Sequence, residues 1–205
     1  MKTASFVNAA IVAGLASLSA LAQTPETHFK LVANPRFANC LGVPGKPAPI
    51  ANVTVLRRGD NDLLLLRVKN LRPNLNFDMF TVQNSALLAS GAPDPAFTNF
   101  GLAWYQSDLH ADNDGNAEVT IQTILLDQIF GFDPNVALAP TNTFHLGFWF
   151  NDPHDAAACG FDVTHPTPFN GEHKAGPLAM ISLPNATTGL GPLCTQPGPG
   201  GTCHP

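Results

Sequence analysis

Apolar and polar positions along this chain alternate in short runs. Residues 51–58 (ANVTVLRR) alternate weakly, and 63–69 (LLLLRVK) form a strong apolar run. The cluster Gly59-Asp60-Asn61-Asp62 lies between them, so the two predict a hairpin. A Pro/Asn break over Asn70–Asn76 precedes a third strand at 77–83 (FDMFTVQ), and a long loop spans 84–100. A fourth strand is expected at 101–109 (GLAWYQSDL) and a fifth at 117–123 (AEVTIQT), joined by the tight turn Asp112–Asn116. In the fifth, Val119 and Ile121 oppose Glu118, Thr120 and Gln122, the period of a half-buried strand. Residues 124–130 read as a short helix. In the sixth strand, 143–150 (TFHLGFWF), Phe144, Leu146, Phe148 and Phe150 share one face, and His145, Gly147 and Trp149 the other. A seventh strand is expected at 178–183.

Seven short strands with frequent Gly, Pro and Asn turns predict an all-β fold. The expected architecture is an antiparallel β-sandwich of Greek-key type, with a β-barrel as the alternative. The 36 Gly and Pro residues agree with a loop-rich β protein. No internal repeat is visible. Residues 1–22 read as a signal peptide: Lys2, an apolar stretch from Val7 to Leu21, then Ala20-Leu21-Ala22 before a cut at Gln23. Residues 23–50 read as an extended lead-in, 51–184 as the β domain, and 185–205 as a Gly/Pro-rich, disulfide-closed tail outside the core. No run after the leader is long enough to span a bilayer.

The mature chain would hold 183 residues, with nine basic and fifteen acidic side chains, a net of −6. That balance argues against nucleic acid and anionic membranes as partners. The charge is segregated: residues 23–72 carry +5 and residues 73–205 carry −11. Compensation between neighbouring strands is the simpler account, and a bipolar surface the sharper one. Four cysteines suggest two disulfides outside the cytoplasm, with Cys194–Cys203 favoured and Cys40–Cys159 left over. Asn52-Val53-Thr54 and Asn185-Ala186-Thr187 are N-glycosylation sequons, used only in a eukaryotic host.

The order strand, turn, strand, then Asn70-Leu71-Arg72-Pro73-Asn74, then strand resembles the opening of chordin-type domains and of copper/zinc superoxide dismutases. Those families place paired histidines on the strand after the break. Phe77-Asp78-Met79-Phe80-Thr81-Val82 carries none. The likeness covers about a third of the chain, brings no functional residue with it, and assigns no family.

HExxH, GxSxG, CxxC and P-loop motifs are absent, which removes the commonest hydrolase, thiol-redox and nucleotide signatures. Five of seven histidines fall between His145 and His204. His145, His154, His173, Glu172 and Asp152 form a candidate ligand set for copper, zinc or manganese, since imidazole and carboxylate suit those ions. The spacing is no metal signature, and loop histidines with ordinary partners are the simpler account. Asp112-x-Asp114-x-Asn116-x-Glu118 resembles the start of a calcium loop, but the pattern also suits a hairpin turn, which is favoured. Cys159 beside His154 and Asp155 has the makings of a nucleophile, although a disulfide is the stronger expectation. Asp152 and Asp155 are a carboxylate pair of the kind glycoside hydrolysis uses. Trp104 and Trp149 are a candidate sugar-stacking pair, with core placement the simpler account.

The favoured function is a secreted, disulfide-stabilised β protein, without catalysis, that binds a protein or glycan at the cell surface or in the medium. The alternative is a metal-dependent extracellular enzyme. Protein secreted by its native host should begin at Gln23 when its N-terminus is read by mass spectrometry; an intact Met1 rejects the cleavage site.

Overall fold

A computed structural model describes residues 26–58, 61–123, 143–167, 175–194 and 203. The strands are β1 (Glu26–Ala33), β2 (Ile50–Leu56), β3 (Asp62–Lys69), β4 (Asn76–Val82), β5 (Ala103–His110), β6 (Ala117–Thr123), β7 (Thr143–Phe150), β8 (Leu178–Ser182) and β9 (Leu193–Cys194). One helical turn, α1 (Ala38–Leu41), and a 3₁₀ helix, Pro153–Cys159, complete the elements among the described residues. The expected helix at 124–130 lies outside the described residues.

The strands form one antiparallel sheet in the order β5-β4-β7-β8-β1-β2-β3-β6, with the short β9 added to β7. The end strands β5 and β6 pack against each other, so the sheet rolls into a nearly closed barrel. The all-β expectation holds, and the strands join one continuous sheet as in the barrel alternative. All seven expected strands are present, each within two residues of its expected ends.

Segments towards both ends of the chain contribute to the barrel. Residues 23–50 supply β1, which joins β2 to β8 inside the sheet, and α1, whose Cys40 and Leu41 are buried. The hydrophobic signal of β1 is weak because His28 and Lys30 on its outer face alternate with Phe29 and Leu31 on its inner face. In the 185–205 segment, Leu193 and Cys194 are buried where β9 pairs with β7.

Inside the barrel, Val53, Val55, Leu64, Leu66 and Val68 meet Phe77, Met79, Phe144, Leu146, Phe148 and Phe150. Phe77 sits 4.8 Å from Phe148 and 5.4 Å from Phe150, centre to centre. A second apolar cluster lies outside the barrel wall, where Phe80, Val82, Trp149, Leu178 and Ile181 are covered by Leu87, Ala86 and Phe100 of the β4–β5 loop. β7 is therefore buried along its whole length. Gly147 makes this packing possible: a Cβ there would lie 2.9 Å from the Met180 carbonyl oxygen and 3.2 Å from the Trp149 indole.

One end of the barrel is closed by α1 and the 3₁₀ helix. Cys40–Cys159 joins them, Phe37 meets Phe161 edge to face, Arg36 donates to the Gly160 carbonyl, and Arg72 pairs with Asp155. Elsewhere Arg57 pairs with Asp62 at 3.0 Å and donates to the Cys194 carbonyl, beside the Cys194–Cys203 bond. The two disulfides have the expected partners, and no cysteine is free. Charge compensation is visible as well: Arg67 of β3 meets Glu118 of β6, and Arg72 meets Asp155, each basic partner from the basic part of the chain.

Cross-links stabilise mainly through the loop they close in the unfolded chain, and Cys40–Cys159 spans 119 residues against 9 for Cys194–Cys203. Replacing the first pair by alanine should cost about 4–5 kcal/mol and replacing the second about 2–3 kcal/mol in urea unfolding. Equal costs would show that strain or residual structure, not loop entropy, governs them.

Candidate functional site

The candidate site forms at the barrel end where β4 and β8 finish and β7 begins. His145 stands opposite Val82, the last residue of β4, and its ring bonds to Ser182, the last residue of β8. The β4–β5 loop (83–102) and the β8–β9 loop (183–192) leave from these points and enclose a cavity of about 410 Å³. Its lining includes His145, Asn84, Ser85, Asp94, Phe97 and Thr98.

Local hydrogen bonds hold the long loop in place. The Asn84 side-chain amide donates to the Asn99 carbonyl, and the Ser85 hydroxyl donates to the Ser182 carbonyl. Asp94 Oδ1 accepts from the Ala96 N–H, and Asn99 Oδ1 from the Gly101 N–H. Gln83 Oε1 accepts from the Leu102 N–H, closing the loop at its base. Leu87 and Phe100 anchor its underside on Trp149 and Ile181. The ring of Phe100 lies 5.0 Å from the indole.

His145 is the most unusual side chain here. It is 3% exposed, and Nδ1 lies 2.9 Å from the Ser182 carbonyl oxygen. A carbonyl only accepts, so Nδ1 carries the hydrogen and Nε2 keeps its lone pair. Nε2 takes no hydrogen bond from any described residue, and the residue lines the cavity. Burial pushes the imidazole pKa down to about 4 against the opposing effect of the Ser182 carbonyl, so the ring is neutral at ordinary pH. The site thus offers an uncharged, preoriented acceptor in the floor of a polar cavity.

The other expected site residues are scattered. His145 is near the start of β7, whereas His154 follows its far end; His145 and Phe150 alone are separated by five residues of extended chain, about 17 Å. His154 is exposed and bonds through Nδ1 to Asp152, which also caps the 3₁₀ helix by accepting the His154 N–H. Those bonds hold the Asp152 carboxyl below its usual range. Asp155, raised by burial, is paired with Arg72. Glu172 and His173 lie outside the described residues. Among the described residues, no group of three His, Cys, Asp or Glu side chains is placed to hold one metal ion.

Asp112 Oδ1 accepts the N–H groups of Asp114 and Asn116, and Gly115 has φ +76° against Leu71, so the segment forms the expected tight turn, although β5 and β6 on either side of it do not pair as a hairpin. Glu118, the last residue of that calcium-like pattern, is paired with Arg67 on the strand. Cys159 is held in its disulfide. Trp149 is fully buried outside the barrel wall, whereas Trp104 packs edge-on against Phe144 on the inner side. The two therefore share no stacking platform. Asn52 and Asn185 are both exposed. No known protein-family profile matches the chain, and no curated protein matches it in sequence.

The expected metal-ligand set includes His145, and the cavity it lines is not foreseen from the sequence. The available signal was its place on the second face of β7, beside Gly147 and Trp149, together with a long loop rich in Asn, Ser and Asp.

Because the folded pKa of His145 lies below its ordinary 6.5, the unfolded chain takes up the proton first. The stability tied to the neutral ring is complete above pH 6.5 and is lost as the pH falls towards 4. The loss is about 3 kcal/mol. His145→Asn keeps a donor towards Ser182 and removes the titration. Urea unfolding from pH 7 to 4 should show the wild type losing stability relative to the variant by about that amount. Parallel curves would show that the buried ring does not resist protonation.

Proposed function

We propose that this disulfide-stabilised β-barrel is a secreted protein with a binding role, and that its ligand site is the cavity between the β4–β5 and β8–β9 loops. The observation that carries the reading is His145, buried yet presenting an unpartnered acceptor to a polar cavity of about 410 Å³. Small-molecule sites commonly have volumes of about 300–1,000 Å³ and a few fixed polar groups. Several features support secretion: the leader-like residues 1–22, two disulfides and two exposed sequons. No helix among the described residues is long and apolar enough to cross a membrane. The metal-enzyme alternative draws no support from the described residues, because His145 and His154 lie at opposite ends of β7.

Ala96 is exposed and lines the cavity, so Ala96→Trp should fill it without disturbing the core. Screening sugars, polyols, amino acids and amines by amide NMR should yield a ligand that shifts resonances of residues 83–99 and 183–189. That ligand should leave Ala96→Trp unaffected. If the compounds that bind shift only distant amides, or bind the variant equally well, this cavity is not the ligand site.

A further inference from the structure

Resting on that reading, we infer that the cavity takes a neutral polyhydroxylated ligand, a sugar residue, with one hydroxyl donating to His145 Nε2. Several side chains lining the cavity keep free hydrogen-bonding capacity. His145 Nε2 has a lone pair and no partner. The Asn84 side chain uses one N–H on the Asn99 carbonyl, which leaves its second N–H as a donor and its Oδ1 as an acceptor. Asp94 Oδ1 is occupied by the Ala96 N–H, which leaves Oδ2 as an acceptor. Thr98 Oγ1 accepts from Asn99, which leaves its hydroxyl hydrogen to donate. Among these four side chains the free groups are thus three acceptors and two donors.

That inventory selects a ligand. No lysine or arginine is among the described residues lining the cavity, so a phosphate or carboxylate would meet lone pairs and a carboxylate without a compensating charge. An ammonium ion would find one partly exposed carboxylate and a neutral ring, too little charge to offset its desolvation. A sugar hydroxyl donates and accepts at the same atom, which suits acceptors at Nε2, Oδ1 and Oδ2 with donors at Asn84 and Thr98. Its C–H faces suit Phe97, which is half-buried, and Leu87, both in the lining. The buried acceptor is the decisive group: the Ser182 carbonyl fixes the tautomer, so Nε2 can only accept.

The test is an NMR titration of the intact protein with ¹⁵N-labelled histidine against a panel of neutral mono- and disaccharides, with amine-bearing compounds as the contrasting arm. Binding of a neutral sugar should shift the His145 Nε2 resonance. Affinity should be unchanged between low and high NaCl, because no ion pair is involved. His145→Asn, checked for an intact amide spectrum, should weaken the sugar by about tenfold. Asp94→Asn keeps the acceptor for Ala96 and should weaken it only severalfold. If amines bind instead, with affinity that falls with salt and vanishes in Asp94→Asn, the neutral-sugar assignment is overturned while the binding reading stands. The assignment also falls if sugars shift the loop amides but leave Nε2 and the His145→Asn affinity unchanged. If Ala96→Trp still binds, the site itself is misplaced.

Discussion

The molecule is organised around one strand that must be buried on both sides. β7 faces the barrel interior with Phe144, Leu146, Phe148 and Phe150, and its other face presents His145, Gly147 and Trp149. Exposing an indole on that outer face would waste its apolar area, so something must cover it. The β4–β5 loop does so with Leu87 and Phe100, and the missing side chain of Gly147 leaves room for the indole. The cavity follows from this cover. Where the loop leaves β4 and returns, its polar residues cannot pack as tightly as Leu87 and Phe100, and His145 becomes the floor of the space that remains.

Much of the barrel was legible in the chain, because period-two alternation and turn residues are local signals. The sixth expected strand coincides with β7, and its two faces separate as the alternation requires. The Asp112–Asn116 turn and both disulfides were also legible. Other features depend on distant partners. β1 lacks a strong pattern of its own and is fixed by pairing with β2 and β8. The closure of the sheet by β5 and β6 depends on the strand order, which no single strand encodes.

The candidate site was the least legible part. Counting histidines and carboxylates in the late segment grouped His145 with Asp152 and His154, but proximity in sequence means little along an extended strand. Asp152, Asp155 and His154 serve a helix cap and an ion pair at the closed end. His145 instead works with residues far away in sequence: Ser182 sets its tautomer, and Asn84, Asp94 and Thr98 surround its cavity. The strand after the Asn70–Asn76 break, where superoxide dismutases carry histidines, is given over to Phe77, Met79 and Phe80. The resemblance there is one of layout and not of chemistry.

The pairing of β1 with β8 sets the order in which the chain can mature. Leu31 and Ser182 stand opposite each other across β1 and β8 although about 150 residues of chain separate them. A ribosome delivers β1 first, and its second edge stays unmatched until β8 has been made. During that interval β1 and β2 present an open hairpin to whatever surrounds the nascent chain, and the outer shell over Trp149 cannot set before β8 arrives. Pairings so distant in sequence close slowly, and this side of the sheet stays open until β8 joins it.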